Sequence, residues 1–318
     1  MTIRTRETVV QPESRRPSSL PAPRVSAPRR TLALLLAALQ AARPRQWPKN
    51  LLVFAAPLAG ASLGRDDGFF YALLAAAVFT AASAAVYLIN DAVDIERDRR
   101  HPTKRRRPIA SGRLPVPWAL AFAGAGVALA LAACALTDLP ALALIVGIYI
   151  ALSVFYTLRL KHVPGVEVAF VAVGFVLRAL GGAVATHVPP SAWFLTVCTL
   201  GALMVAIGKR YTELAVLGDA AIEHRPVMRW YRLWALRMAQ RMVTGAMLVA
   251  YILWGLSESA GWMRGWHLLS ALPLAVALLR FDRLTAQADY RPVEDLIAKD
   301  PIMVCSEATW LTLFLVGL

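Results

Sequence analysis

FFYALLAAAVFTAASAAVYLINDAVDIERD, residues 69–98, passes without a break from an apolar run into a cluster of acids. As a helix, 69–90 is long enough to cross roughly 30 Å of hydrocarbon. The remainder places Asp91, Asp94 and Asp98 at i, i+3 and i+7, which lines three carboxylates along one face of a continuing helix. Three aligned acids at the edge of a bilayer repel one another unless a cation sits among them. Magnesium suits such a place, being a hard ion that takes carboxylates together with phosphate oxygens. A solvated helix end would account for the acids alone. It does not account for Asn90, which still lies inside the apolar run.

Outward from this stretch, runs of similar length recur. The predicted spans are 47–63, 69–90, 116–136, 139–156, 166–186, 191–208, 242–257, 266–281 and 302–318. The fold class is therefore an all-α membrane protein, a bundle of about nine transmembrane helices. Residues 29–318 form a single transmembrane domain, opened by an amphipathic interfacial helix over 30–44, and residues 1–28 read as a disordered basic tail. Of 318 residues, 58% are hydrophobic and 17% charged, against about a quarter charged in soluble chains.

The formal charge of +14 would suit a nucleic-acid binder. The basic residues, however, sit between apolar runs, so nucleic acid is not a partner and the lipid bilayer is. Of the 34 Lys and Arg, 31 fall in one alternate set of connections, whereas the other set holds only Arg65 and Arg264. By the positive-inside rule the N-terminus is cytoplasmic, and an odd number of spans puts the C-terminus outside. A homo-oligomer is compatible with this pattern.

Several chemistries are excluded. Cys134, Cys198 and Cys305 are too far apart for a thiol metal site. No P-loop, dinucleotide fingerprint or His-based nucleophile pair appears, and His187 and His267 are placed on outer loops. An anion transporter would fit the basic loops, but no inverted repeat is visible.

The reactive side chains gather on the cytoplasmic connections. After the acids comes Arg99-Arg100-His101-Pro102-Thr103-Lys104-Arg105-Arg106-Arg107. Three further segments mix cations with hydrogen-bonding groups: Arg43 to Asn50, Tyr156 to Pro164, and Gly208 to Glu213. As topology anchors these runs would need only cations. Beside a metal-bearing acid cluster they would grip an anionic polyphosphate. The candidate phosphate and substrate contacts are Lys49, Asn90, Asp98, Lys104, Arg105, Tyr156, Arg178, Lys209 and Arg210, with Asp91, Asp94 and Lys161 as catalytic positions. Arg178 stands out because it lies inside the fifth span, where a guanidinium is costly.

These features together resemble the UbiA superfamily of membrane transferases, nine-helix enzymes with magnesium–diphosphate sites. The most specific element is N-D-x-x-D-x-x-x-D, here Asn90 to Asp98. The resemblance implies Mg2+ held by Asp91, Asp94 and Asp98. Prenyltransferase members carry a second aspartate-rich motif after the sixth span, and here that place reads Gly208-Lys209-Arg210-Tyr211-Thr212-Glu213. RPRQWPKN (43–50), HPTKRRRPIASG (101–112), LRLKHVP (158–164), GKRYTEL (208–214) and PVEDLIAKD (292–300) look like the phosphoribosyltransferase branch that serves mycobacterial arabinan synthesis. That branch carries Asp where this chain has Glu167. The resemblance implies phosphoribosyl diphosphate as donor and decaprenyl phosphate as acceptor, in the bacterial plasma membrane with the site facing the cytoplasm. The alternative is a prenyltransferase using a prenyl diphosphate.

Overall fold

The computed structural model describes residues 27–65, 67–160, 163–287 and 293–318. Helix α1 (Ala27–Ala41) is followed by a 3-10 helix (Pro44–Phe54) and a short α2 (Ala55–Ala59). Then come α3 (Gly68–Val93), α4 (Ile95–Arg100), α5 (Val116–Leu136), α6 (Pro140–Leu158) and α7 (Val166–Ala185). The chain continues through α8 (Ala192–Leu217), α9 (Ala220–His224), α10 (Leu233–Glu258), α11 (Gly261–Ala286), α12 (Val293–Lys299) and α13 (Pro301–Val316).

Six of these, α3, α5, α6, α7, α8 and α10, are long and apolar enough to cross a membrane, which makes this a multi-pass membrane protein. Helix α11 has the length, but Arg264, Arg280, Asp282, Arg283 and Pro273 dilute its apolar character; α13 is a shorter apolar helix. The stretch read as a basic tail lies outside the described residues, save for its last two, which open α1.

Helices pack because each carries small residues where a neighbour must approach. One core joins α3, α6 and α7 around Phe79, Leu142, Val146 and Tyr149. A second joins α8, α10, α11 and α13 around Met204, Tyr251, Leu274 and Phe281. Side-chain caps set two starts: Ser191 accepts from the Phe194 amide at α8, and Asp300 accepts from the Met303 amide at α13, each satisfying an otherwise orphan donor.

The stretch expected as a first continuous span, 47–63, is folded differently. It is the 3-10 helix, which contains Pro48, followed by the five-residue α2. Pro48 has no amide hydrogen to give an α-helical ladder. The segment is instead held from the side. At Gly182 of α7 an added Cβ would stand 1.7 Å from the Val53 carbonyl oxygen, so only glycine lets the two backbones approach this closely.

Arg178 completes the attachment. Its Nε donates to Asn50 Oδ1 (2.7 Å), Nη1 to the Gly174 carbonyl (2.7 Å) and Nη2 to the Tyr149 hydroxyl (2.9 Å). Asn50 in turn donates to Thr80 Oγ1 on α3 (3.0 Å). One buried guanidinium thus ties the 3-10 helix to α6 and α7, and through Asn50 to α3.

Two helices outrun their predicted spans. Helix α8 continues past 208 to Leu217, and α10 begins at Leu233 rather than near 242. The apolar signal ends there because polar side chains begin, while the backbone ladder continues.

Candidate active site

Two clusters of acids and arginines stand among the residues of these helices and their connections. The first is built on the end of α3. The Asp94 amide still donates to the Asn90 carbonyl (3.0 Å), but Asp94 takes φ −90° and ψ 10°, and α4 starts afresh at Ile95. This break undoes the expected alignment. Asp91 and Asp98 are both buried, whereas the Asp94 side chain is partly exposed and lies 3.8 Å from Arg97. Among the described residues no three His, Cys, Asp or Glu groups converge on one point. The expected three-carboxylate set is thus two convergent acids and one divergent.

The convergent pair is met by arginines. Arg107 Nη1 donates to Asp98 Oδ2 at 2.7 Å and to Asp91 Oδ1 at 3.1 Å. Arg43 donates to Asp91 as well and stacks over the Tyr87 ring. Arg43 caps the 3-10 helix with φ 56° and ψ 65°, a left-handed conformation costing a non-glycine residue about 1–2 kcal/mol. The backbone strain is held in place by the ion pair at its tip. Hard carboxylate oxygens aimed at one point are the donor set magnesium takes, with substrate oxygens and water completing the shell. The residues therefore fit such an ion.

The second cluster lies on α7, α8 and α9. Glu167, fully buried in the first turn of α7, receives Arg225 Nη1 at 2.7 Å. Arg210 Nε lies 2.9 Å from its other oxygen, an ion pair out of line for a hydrogen bond. Arg210 also pairs with Glu213, one turn along α8, and Arg225 stands 3.8 Å from Glu213. Tyr156 is within electrostatic reach of Arg225, Glu167 and Arg210, and stacks on Phe170 with ring centroids 4.8 Å apart.

Lys104 lies between the clusters, in reach of Asp98 and Asp94 on one side and Arg225 on the other. Burial first, and then the Arg107 guanidinium, pushes its ammonium below the usual lysine range. Next to this end is a cavity of about 810 Å³ with an almost wholly apolar wall. Lys49 and Lys209 are among its few charged residues, and Phe175, Cys198, Trp254 and Trp310 contribute to its surface.

The expected residues divide as follows. Asp91 and Asp98 converge; Lys104, Tyr156 and Arg210 stand beside them or in the second cluster; Lys49 and Lys209 line the cavity. Asn90 is half-buried in the last turn of α3, and Arg105 is exposed. Lys161 lies outside the described residues, as do the side chains of Glu294 and Asp295. Arg178, expected at the substrate, commits its nitrogens to Asn50, Gly174 and Tyr149 and is absent from the cavity wall. His267, expected on an outer loop, is buried in α11 with Nδ1 2.6 Å from Ser259 Oγ.

Sequence reasoning passed over Arg43, Arg107, Glu167 and Arg225. The available signal was weak: Glu167 is an acid in the first turn of a span, and Arg225 an arginine 58 residues away.

The fold and the site define a helical membrane protein with paired charged clusters at one end, and comparison with known proteins identifies it further. The chain belongs to the UbiA prenyltransferase family, whose match covers residues 50–296. It is 37% identical to a decaprenyl-phosphate phosphoribosyltransferase of Corynebacterium glutamicum over 277 residues, 86% of this chain and 83% of that one. It is 36% identical to the protein of the same name in Mycobacterium tuberculosis over 282 residues, 87% of this chain and 93% of that one. Among solved structures it resembles a UbiA homolog from Archaeoglobus fulgidus bound to GPP and Mg2+, with TM-score 0.67 and 17% identity, covering 88% of this chain and 98% of that one. A digeranylgeranylglyceryl phosphate synthase resembles it at TM-score 0.65 and 16% identity, covering 89% and 98%.

Proposed function

We propose that this protein transfers 5-phosphoribose from phosphoribosyl diphosphate to decaprenyl or a related polyprenyl phosphate, releasing diphosphate, at the cytoplasmic face of a bacterial plasma membrane. The observation that carries the reading is the Glu167–Arg210–Glu213–Arg225 cluster. Its Arg210 and Glu213 belong to the stretch that, by the resemblance, answers to the second acidic motif of the prenyltransferase members, and arginines suit a second phosphate better than a second metal. The similarity to named phosphoribosyltransferases over more than four fifths of the chain supports it.

In this reading an oxygen of the acceptor's phosphate attacks the anomeric carbon of the ribose. The bond from that carbon to the diphosphate breaks, and its electron pair leaves with the diphosphate. A phosphate monoester is already an anion near neutral pH, so no general base is needed. Displacement in one step inverts the anomeric centre. Asp91 and Asp98 would hold magnesium, which would supply charge neutralisation for the departing diphosphate. Lys104, between the two clusters, faces both anions and lowers their mutual repulsion. Lys49 and Lys209 mark the charged edge of the apolar cavity, which holds the lipid chain while its phosphate meets the donor. Gathering a soluble donor and a lipid acceptor at one end of the bundle supplies proximity.

The test uses purified protein in detergent with magnesium, decaprenyl phosphate and phosphoribosyl diphosphate labelled in the ribose. Label should enter the organic phase and stop doing so with EDTA. Consumption of a prenyl diphosphate, with phosphoribosyl diphosphate untouched, would replace this reading with the prenyltransferase one.

A further inference from the structure

The Asp91–Asp98 gap has a guanidinium in it. Arg107 Nη1 reaches one oxygen of each acid, at 3.1 and 2.7 Å. The acids are buried to within a few per cent of their surface, while the Arg107 side chain keeps about a quarter of its own exposed. The acids are thus fixed in the wall and the arginine reaches in from the loop. Its backbone is anchored: Pro108 follows it, Ile109 is buried in the core shared with α3 and α5, and Ala110 is buried beside it in sequence. The chain position is rigid and the guanidinium is at the end of a flexible stem.

The two acids do not depend equally on it. Asp91 has a second partner in Arg43. Among the described residues Arg107 is the one cation within ion-pair distance of Asp98.

We propose that Arg107 is a displaceable counter-cation, competing with a divalent metal for the Asp91 and Asp98 oxygens, and that it turns onto the diphosphate when metal and diphosphate arrive together. A dication alone must expel an arginine that then has no anion to meet. A dication carrying diphosphate brings that anion, and a guanidinium takes two phosphate oxygens in a fork. The site would thereby hold metal tightly only with its substrate. The inference rests on the metal reading of this cluster and is independent of which diphosphate is the donor.

The experiment titrates Mn2+ alone into the full-length protein in detergent, followed by electron paramagnetic resonance, with no donor or acceptor present. Arg107→Gln should bind Mn2+ at least tenfold more tightly than the native chain and should gain more thermal stability from it. Arg106→Gln removes the same charge from an exposed neighbour and should stay within about twofold of native. That separates competition at the acids from a general field effect. Arg107→Lys, which keeps a cation in the gap, should fall between native and Gln, and serves if the Gln variant does not fold. Equal or weaker Mn2+ binding in the Arg107 variants, with stability that Mn2+ does not restore, would make Arg107 a structural tie and overturn the proposal. Equal gains in the Arg106 and Arg107 variants would overturn it too.

Discussion

The two charged clusters share one end of the bundle and the same make-up, two acids and two arginines, and differ in how the arginines are held. At the end of α3, two acids in the wall meet arginines that arrive from outside it, Arg43 from a strained cap and Arg107 from a loop. On α7 to α9, Arg210 and Arg225 share the fully buried Glu167 and both pair with Glu213, whose side chain is a quarter exposed. The first arrangement leaves carboxylate oxygens that a metal can claim. In the second, each arginine is shared between two acids, and Arg225 keeps about a third of its side chain exposed where an anion can meet it. A site that takes a metal-bound diphosphate and a second phosphate is served by that difference.

The comparison can be broken most severely at the acids. Asp91→Asn and Asp98→Asn should each lower magnesium-dependent turnover by roughly 10²–10³-fold, the usual cost of losing one electrostatic stabiliser of developing charge. The variants should still elute as folded protein. Turnover close to native in both would remove the acid half of the account.

Glu167 is the matching test on the other side. Glu167→Gln leaves Arg210 and Arg225 without their shared buried carboxylate, which should cost on the order of 3–5 kcal/mol of stability. Thermal unfolding in detergent reads the loss directly, and it should be accompanied by a rise in KM for the phosphorylated donor. Glu167→Asp should retain part of both. An unchanged KM in a folded Gln variant would make the cluster a helix tie and nothing more.

Lys104 should give a smaller effect with an informative sign. Its folded ammonium gives up its proton more readily than an unfolded lysine does, chiefly because of burial. Its charge therefore costs stability at neutral pH, and the cost fades as pH rises through the lowered folded range toward the ordinary lysine value. Lys104→Met should raise the melting temperature slightly near pH 7 while raising KM for the donor several-fold. A fall in melting temperature would show the lysine to be a structural partner instead.

The smallest effect lies at the start of α13. The Arg280 guanidinium, hydrogen-bonded to Asp300, holds that carboxyl below the usual aspartate range. The pair's contribution is complete above the ordinary aspartate pKa and is lost as pH falls through the lower folded value. Asp300→Asn should speed hydrogen exchange in the first turn of α13 near pH 7, with the difference from native disappearing in acid. A pH-independent difference would assign the effect to the lost helix cap.

Much of this end of the molecule was legible in the sequence, and the limits have physical causes. Apolar length and the acids after Asn90 located α3 and the first cluster, because hydropathy and helical spacing are local properties. The same spacing overextended to Asp94, since nothing in the pattern announces that the helix breaks there. Lys104 and Arg105 could not be told from Arg107 within a run of cations, where only the loop's path decides which reaches the acids. Glu167 and Arg225 meet across 58 residues, beyond any periodicity. Arg178 stood out as costly in a span, but Asn50 and Tyr149, which satisfy it, lie on other elements. The polar ends of α8 and α10 looked like loop because hydropathy registers side chains and not the backbone ladder.

The most direct test of the central claim is a donor competition. Phosphoribosyl diphosphate and geranyl diphosphate would be offered together to the purified chain with magnesium and decaprenyl phosphate, and the disappearance of each followed. The account predicts that phosphoribosyl diphosphate alone is consumed, with ribose phosphate appearing on the lipid. Consumption of geranyl diphosphate with phosphoribosyl diphosphate intact would contradict it, and would mean that the arginine cluster does not select a phosphorylated sugar.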